Sequence, residues 1–313
     1  MLARLQQFTT LGLLALALGW ATFFIRNGSP RLAAIGALVI VFGYALFLAA
    51  EFVMLWRVNR SDPTPRASVW QHVVAWWGEV MMAPRVFCWR QPFRSQAVPD
   101  SLPAGTRRRG ILFVHGFVCN RGLWNPHMRR LRELGVPFVS VSLEPVFGSI
   151  DAYPPIIDSA VKQLELATGL APVIVAHSMG GLASRAWLDA FQADTRVHRV
   201  ITIGTPHHGT YLGQWAMAPN AKQMKLGSDW QKRLASREPA TRYGRFTCFY
   251  GHCDNIVFPA TTATLPGADN RHLAGIAHVH MAHHDEVFKE ALRWVGSSSA
   301  GAAGTEAGAT LAR

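Results

Sequence analysis

The chain has 313 residues, half of them hydrophobic, and 31 Lys and Arg against 19 Asp and Glu give a formal net charge of +12. That length holds one sizeable globular domain with room for an additional element. The four cysteines show neither the paired spacing of a zinc ribbon nor the density of a disulfide framework, which excludes a small cross-linked secreted scaffold.

Residues 7 to 25 and 32 to 56 are nearly uninterrupted apolar runs, and only RNGSPR separates them. Each reaches the roughly 20 residues that a bilayer span needs, so residues 1–58 read as a transmembrane helical hairpin. Gly12 with Gly19, and Gly36 with Gly43, sit at heptad spacing and offer each helix a small-residue seam. A signal peptide with Arg4 as its basic region is the weaker reading, because no cleavage site is evident and a second span follows at once. Arg4 and the amino terminus share a side with Arg57, Arg60 and Arg66, against Arg26 and Arg31 in the turn. The positive-inside rule then places the hairpin in the inner (plasma) membrane with the following domain in the cytoplasm. Glu51 falls near the end of the second run, where a position at headgroup level explains it, and no role is assigned to it.

Residues 59–109 read as a linker. Within it, ASVWQHVVAWWGEVMM (67–82) places Trp70, Val73, Val74, Trp77, Val80 and Met81 on one helical face. Such a face suits either the membrane interface or packing on the globular domain. RVFCW (85–89) reads as an opening strand.

From Gly110 strands and helices alternate. Strands are expected at 111–115, 137–143, 172–177 and 199–205, with helices around 122–134, 155–168 and 180–191, an order that predicts a mostly parallel sheet covered on both faces. Residues 208 to 243 carry Trp215, Met217, Met224 and Trp230 among polar residues and read as a cap inserted over a pocket. A strand at 245–251, a short one near 271–276 and a helix over 285–295 complete a domain spanning 110–295. Residues 296–313 are small and polar and read as a disordered tail.

AHSMGG (176–181) joins a buried strand to a helix, which puts Ser178 on a nucleophile elbow with Ala176 where the usual pattern has glycine. A serine nucleophile needs a base, a carboxylate to orient that base, and donors for an oxyanion. Asp254, in YGHCDNIVFP, and His278, in LAGIAHVHM, follow Ser178 in the required chain order. The backbone N–H groups of Phe117, in VHGF, and of Met179 are the oxyanion donors. His280, His283 and His284 compete with His278, and HVHMAHHD (278–285) carries zinc-type spacings. One base followed by a solvated helix start accounts for that run, so neither a metal nor another cofactor is expected. His115 reads as a hydrogen-bonding residue of the oxyanion loop, His207 and His208 as pocket wall; no further substrate-binding residue is named. Basic residues cluster beside the hairpin and at Arg107, Arg108, Arg129, Arg130 and Arg132 without a nucleic-acid motif, which leaves a face toward anionic lipid or a plain solvated surface rather than nucleic acid. The cysteines read as free thiols; a Cys248–Cys253 bridge would argue for a periplasmic domain.

Together VHGF, AHSMGG, GTPHHGT (204–210) and DNIVFP with its downstream histidine resemble bacterial lipases and esterases of the α/β-hydrolase superfamily, over about 110–295. LEPVFGSIDAY (143–153) and AKQMKLGSDWQKRL (221–234) are similar to the same group. The resemblance implies an α/β-hydrolase fold and carboxylic ester hydrolysis through an acyl-enzyme, with Ser178, Asp254 and His278 as the triad. Members of that group include triacylglycerol lipases, short-chain esterases and thioesterases. With the hairpin added, the expectation is a membrane-anchored serine hydrolase acting on lipid or acyl esters. A thioesterase and a noncatalytic membrane interaction module are the alternatives; a transport component is disfavoured by two spans without a convincing buried charge. The sequence sets no oligomeric state.

Overall fold

A computed structural model describes residues 1–296; the tail expected beyond Gly296 lies outside the described residues. Six strands, β1 (Ile111–Val114), β2 (Phe138–Ser140), β3 (Val173–His177), β4 (Arg199–Ile203), β5 (Phe246–Tyr250) and β6 (Asp269–His272), form one sheet in the order β2-β1-β3-β4-β5-β6. Every neighbouring pair is parallel. The helices, in chain order, are α1 (Leu2–Arg26), α2 (Pro30–Val58), α3 (Val69–Ala83), α4 (Gln91–Arg94), α5 (Asn125–Glu133), α6 (Pro154–Thr168), α7 (Met179–Ala190), α8 (Pro219–Gln223), α9 (Asp229–Arg237), α10 (His278–Met281) and α11 (Asp285–Gly296).

Successive strand residues point to opposite faces, and along β1 to β5 both faces are buried, whereas β6 at the edge is partly exposed. Leu112, Val114, Ile174 and Ala176 pack with α6 and α7 through Val161, Leu164, Leu182 and Trp187. Ile111, Phe113, Val173 and Val175 face the other way, onto Trp124, Met128 and Leu131 near α5 and onto Val287 and Phe288 of α11. This double burial is why the strands read as continuous apolar runs rather than alternating ones.

A third, smaller apolar cluster joins the amino-terminal helices to the rest: Phe52 and Leu55 of α2 and Ala75 of α3 meet Cys253, Phe258 and Ala277. Polar ties reinforce it. The Met1 ammonium lies 3.0 Å from Glu144, and Gln6 Nε2 donates to Gln91 Oε1 at 2.9 Å. Tyr44 Oη donates to the Val80 carbonyl and Trp76 Nε1 to that of Ala45, each at 2.9 Å. Both ends of the hairpin are therefore docked, while its middle projects with large apolar side chains such as Phe8, Leu18 and Phe42 exposed.

Several expectations change. RVFCW is no strand: α3, started by a Ser68–Gln71 capping box, runs on into a π-helical stretch over Pro84–Arg90 and then α4. The outer edge of β2 is met instead by Ser101, which exchanges two backbone hydrogen bonds with Phe138. The last strand begins two residues earlier than expected and ends at His272, before the turn through Gly275. Of the four glycines proposed as a helix seam only Gly36 is needed for close approach, crossed by the Trp20 indole, which donates to the Leu32 carbonyl at 2.9 Å; a Cβ on Gly12, Gly19 or Gly43 would meet no atom within 4 Å. Glu51 is not at a headgroup-level surface but 5% exposed, inside the contact between α2 and the sheet-borne loops. The Trp-rich helix packs on the domain through Ala75, Glu79 and Val80, whereas Trp70, Val73, Val74, Trp77 and Met81 point outward. All four cysteines are free thiols.

Residues 208 to 243 bond to the loops after β2 and β5 through Thr210, Tyr211 and Asn220, and pack on α7 through α9 and Glu238. Their firmest tie is a buried ion pair: Arg185 of α7 reaches Glu238 at 2.5 Å with side chains 1% and 0% exposed, and Tyr243 Oη donates to the same carboxylate at 2.7 Å. Removing one member strands the other charge in the interior. Glu238→Ala should therefore destabilise the fold by about 3–5 kcal/mol in chemical denaturation, and an added Arg185→Met should recover part of that loss.

Candidate functional site

Strand β3 ends at His177, and α7 begins at Met179. Ser178 makes the whole turn between them, with φ 55° and ψ −127°, a conformation that costs a non-glycine residue about 1–3 kcal/mol. Gly180 permits the turn, because a Cβ there would lie 2.6 Å from the carbonyl oxygens of Val114 and His115. The β1 loop also comes against the serine: a Cβ on Gly116 would sit 2.8 Å from that of Ser178. Phe117 follows in that loop and lines the same cavity as Ser178. Met179, at the first position of α7, has one of the N–H groups that a helix start leaves without an i−4 carbonyl.

The loop after β5 carries Asp254. Its Oδ1 accepts the backbone N–H groups of Ile256 and Val257 at 3.0 and 2.8 Å, which fixes the carboxylate, and His278 Nδ1 donates to Oδ2 at 2.9 Å. A carboxylate only accepts, so Nδ1 bears the proton and Nε2 is left as the basic nitrogen. His278 is 4% exposed and shares a cavity of about 430 Å³ with Ser178. Burial opposes charging of its imidazole, but the Asp254 charge and hydrogen bond, with Glu79 and Glu51 beyond, outweigh it and raise the pKa above its ordinary value. Ser178, Asp254 and His278, far apart in sequence, are thus brought together at the carboxyl ends of the strands, where ligands of open parallel sheets bind.

His177 lines the same cavity and packs on His278 with ring centroids 4.5 Å apart, while His115, His207, His208 and His283 stand outside the cavity. His115 donates through Nδ1 to the Gly116 carbonyl and accepts the Leu143 N–H at Nε2, and burial pushes its pKa down to about 4, so it holds the β1 loop as a neutral ring. His283 is not a solvated helix residue: it packs against His127 with ring centroids 5.5 Å apart and meets the Arg90 guanidinium at 3.2 Å. His207 is buried among Arg185, Thr202 and Cys248, and neither it nor His208 lines the cavity at Ser178.

The cavity wall is the largest departure from the sequence reading. No residue of the expected cap, 208 to 243, contributes to it. Much of the apolar wall comes from the amino-terminal segment instead, through Tyr44, Phe47 and Leu48 of α2 and Pro84 and Phe87 of the π-helical stretch, together with Phe117, Val118, Ile256 and Val279 of the sheet domain. Phe47 is 66% exposed and so stands at the rim, between cavity and surroundings. Two buried carboxylates, Glu51 and Glu79, and the amide of Asn255 complete the polar end. Glu51 was legible as an ionisable residue in an apolar span; Glu79 as a lone acid inside WWGEVMM; Asn255 had no signal beyond its place beside Asp254.

A model of the alpha/beta hydrolase family matches residues 111–295. Among solved structures, the mature lipase BlEst2 of Bacillus licheniformis is similar at 19% identity and a TM-score of 0.54, over 62% of this chain and 95% of that one. Lipase B of Aspergillus fumigatus is similar at 16% identity and a TM-score of 0.52, over 62% of this chain and 55% of that one. At these identities the likeness is one of fold. No curated protein sequence matches.

Gly204 closes the arrangement from β4. Its φ is +52°, and a Cβ there would lie 2.6 Å from Asp254 Oδ2 and 3.0 Å from His278 Nδ1. Gly204→Ala should strain the backbone by about 1–3 kcal/mol and force the Asp254–His278 pair apart. The expected outcome is a lower melting temperature together with loss of serine labelling by a fluorophosphonate in the protein that remains folded.

Proposed function

We propose an activity for this chain from one premise: it belongs to the alpha/beta hydrolase family. The reading is a membrane-anchored serine hydrolase that cleaves carboxylic esters of acyl or lipid type through an acyl-enzyme. One observation carries it, the strained Ser178 turn sharing a cavity with a histidine whose Nδ1 is committed to Asp254.

In this mechanism His278 Nε2 takes the Ser178 proton as Oγ attacks the ester carbonyl. Asp254 stabilises the imidazolium, and the Phe117 and Met179 N–H groups receive the oxyanion. Collapse of the tetrahedral species expels the alcohol, which leaves with the proton from His278. Water then attacks the acyl-Ser178 ester with the same base, releasing the acid and restoring the serine.

The substrate class follows from the cavity. Its walls are mostly apolar side chains and its volume falls in the usual range of small-molecule sites. Part of the wall belongs to α2, which with α1 is long and apolar enough to cross a bilayer. The projecting stretch of α1 from residue 8 to 26 measures about 28 Å at 1.5 Å per residue, close to the hydrocarbon thickness of roughly 30 Å. An acyl chain seated beside Phe47 would therefore lie against the anchor. The arginines after α2 and the four free thiols support a cytoplasmic position for the hydrolase.

Two measurements test the reading. Ser178→Ala should lower kcat on p-nitrophenyl butyrate on the order of 10⁶-fold, and a wild-type rate would overturn it. His278 must be neutral to accept a proton, and its pKa is raised; kcat/KM should therefore fall, as pH drops, through a value above the ordinary histidine pKa of about 6.5. Asp254→Asn should move that acid limb to lower pH and reduce kcat roughly 10⁴-fold.

A further inference from the structure

Three successive backbone amides at the start of α10, those of His278, Val279 and His280, are each held by a buried side chain. The Val279 N–H donates to Glu79 Oε1 and the His280 N–H to Glu79 Oε2, both at 3.0 Å. The His278 N–H donates to Asn255 Oδ1 at 3.2 Å, and Asn255 Nδ2 in turn donates to Glu51 Oε2 at 2.6 Å. Glu79 belongs to α3 and Glu51 to α2, so both carboxylates reach this turn from outside the sheet domain.

Carboxylates in such places are costly. Glu79 is 2% exposed and Glu51 5%, in helices otherwise dominated by apolar side chains. Burying an ion costs several kcal/mol unless its partners compensate, and an apolar residue would fill either position at lower cost. What the acids add is directional: a carboxylate accepting two consecutive amides fixes the backbone on either side of the peptide between them, and Asn255 fixes the amide before it.

We propose that Glu79 directly, and Glu51 through Asn255, are positioning residues that hold the His278 turn so that Nε2 meets Ser178, making the amino-terminal helices part of the active site. The assignment rests on His278 being the general base.

Electrostatics act in the same direction. His278 is faced by Asp254 from the loop after β5, by Glu79 from α3, by Glu51 from α2 and by His177 from β3, whose ring centroid is 4.5 Å away and whose Nε2 donates to the His278 carbonyl. Burial drives His177 well below its ordinary pKa, so it stays neutral and adds no opposing charge. Burial also raises the Glu79 carboxyl, against its two amide bonds and the nearby imidazole.

The test uses the full-length protein in detergent, with p-nitrophenyl butyrate as substrate and fluorophosphonate labelling to count competent serines. Glu79→Gln replaces one acceptor oxygen by an amide donor that opposes a backbone N–H. It should lower kcat per labelled serine on the order of 10²-fold, the scale of a small misplacement, with KM little changed and the acid limb shifted to lower pH. Glu79→Asp, which keeps both acceptors, should recover part of kcat and return the limb toward the wild-type pH. Glu51→Gln keeps an oxygen for Asn255 and should lose less kcat than Glu79→Gln. A Glu79→Gln protein with wild-type kcat and acid limb per labelled serine overturns the proposal, even if its melting temperature falls, because a scaffold role predicts that result. Failure of the triad itself is distinguishable: a fully active Ser178→Ala protein removes the reading on which the proposal stands, whatever Glu79→Gln does.

Discussion

The contact of Phe52, Leu55 and Ala75 with Cys253, Phe258 and Ala277 is small, yet it presses the amino-terminal helices onto the two loops that carry Asp254 and His278. Without it, Glu51 and Glu79 would have no place among backbone amides and the cavity beside Ser178 would lack a wall. Apolar burial supplies the attraction and is non-directional; the hydrogen bonds from Glu79, Asn255 and Asp254 supply direction. Each depends on the other. A buried carboxylate is tolerable only where its bonds are made, and those bonds form only where the apolar contact has brought the helices in.

The sheet domain was legible because its signals are local. β-Branched runs alternating with amphipathic helices predicted the parallel order, and the AHSMGG turn marked Ser178. Asp254 and His278 could be placed because loops at one end of a parallel sheet converge, so chain order translates into proximity. The error at 85–89 has a different origin. RVFCW has strand-like composition, but α3 continues through it without a terminating glycine, and Ser101 already pairs with the outer edge of β2. Composition does not record that an edge is taken.

The misplaced cap is the more instructive case. Trp215, Met217 and Trp230 invited the reading of an apolar cover, but Trp230 is drawn into the α7 side, where its indole donates to Asp151 at 2.8 Å, and Glu238 is drawn there by Arg185. A buried charge is costly without its partner, so the ion pair is one of the ties that hold that segment in place. The cavity was then left to be walled by helices whose sequence reads simply as anchor. Nothing in a hydrophobic run distinguishes a side chain facing lipid from one facing a substrate.

That indistinction has a consequence for substitution. An ordinary membrane anchor accepts almost any apolar residue at any position and can be exchanged for another. Here Tyr44, Phe47, Leu48, Glu51 and Leu55 recur along one side of α2 at helical spacing, and they meet a cavity, a hydrogen bond or a core. One stripe of the helix is therefore tied to the interior of the domain while the remainder is not, and on the proposed reading replacing α2 by a foreign span would alter the site along with the anchor.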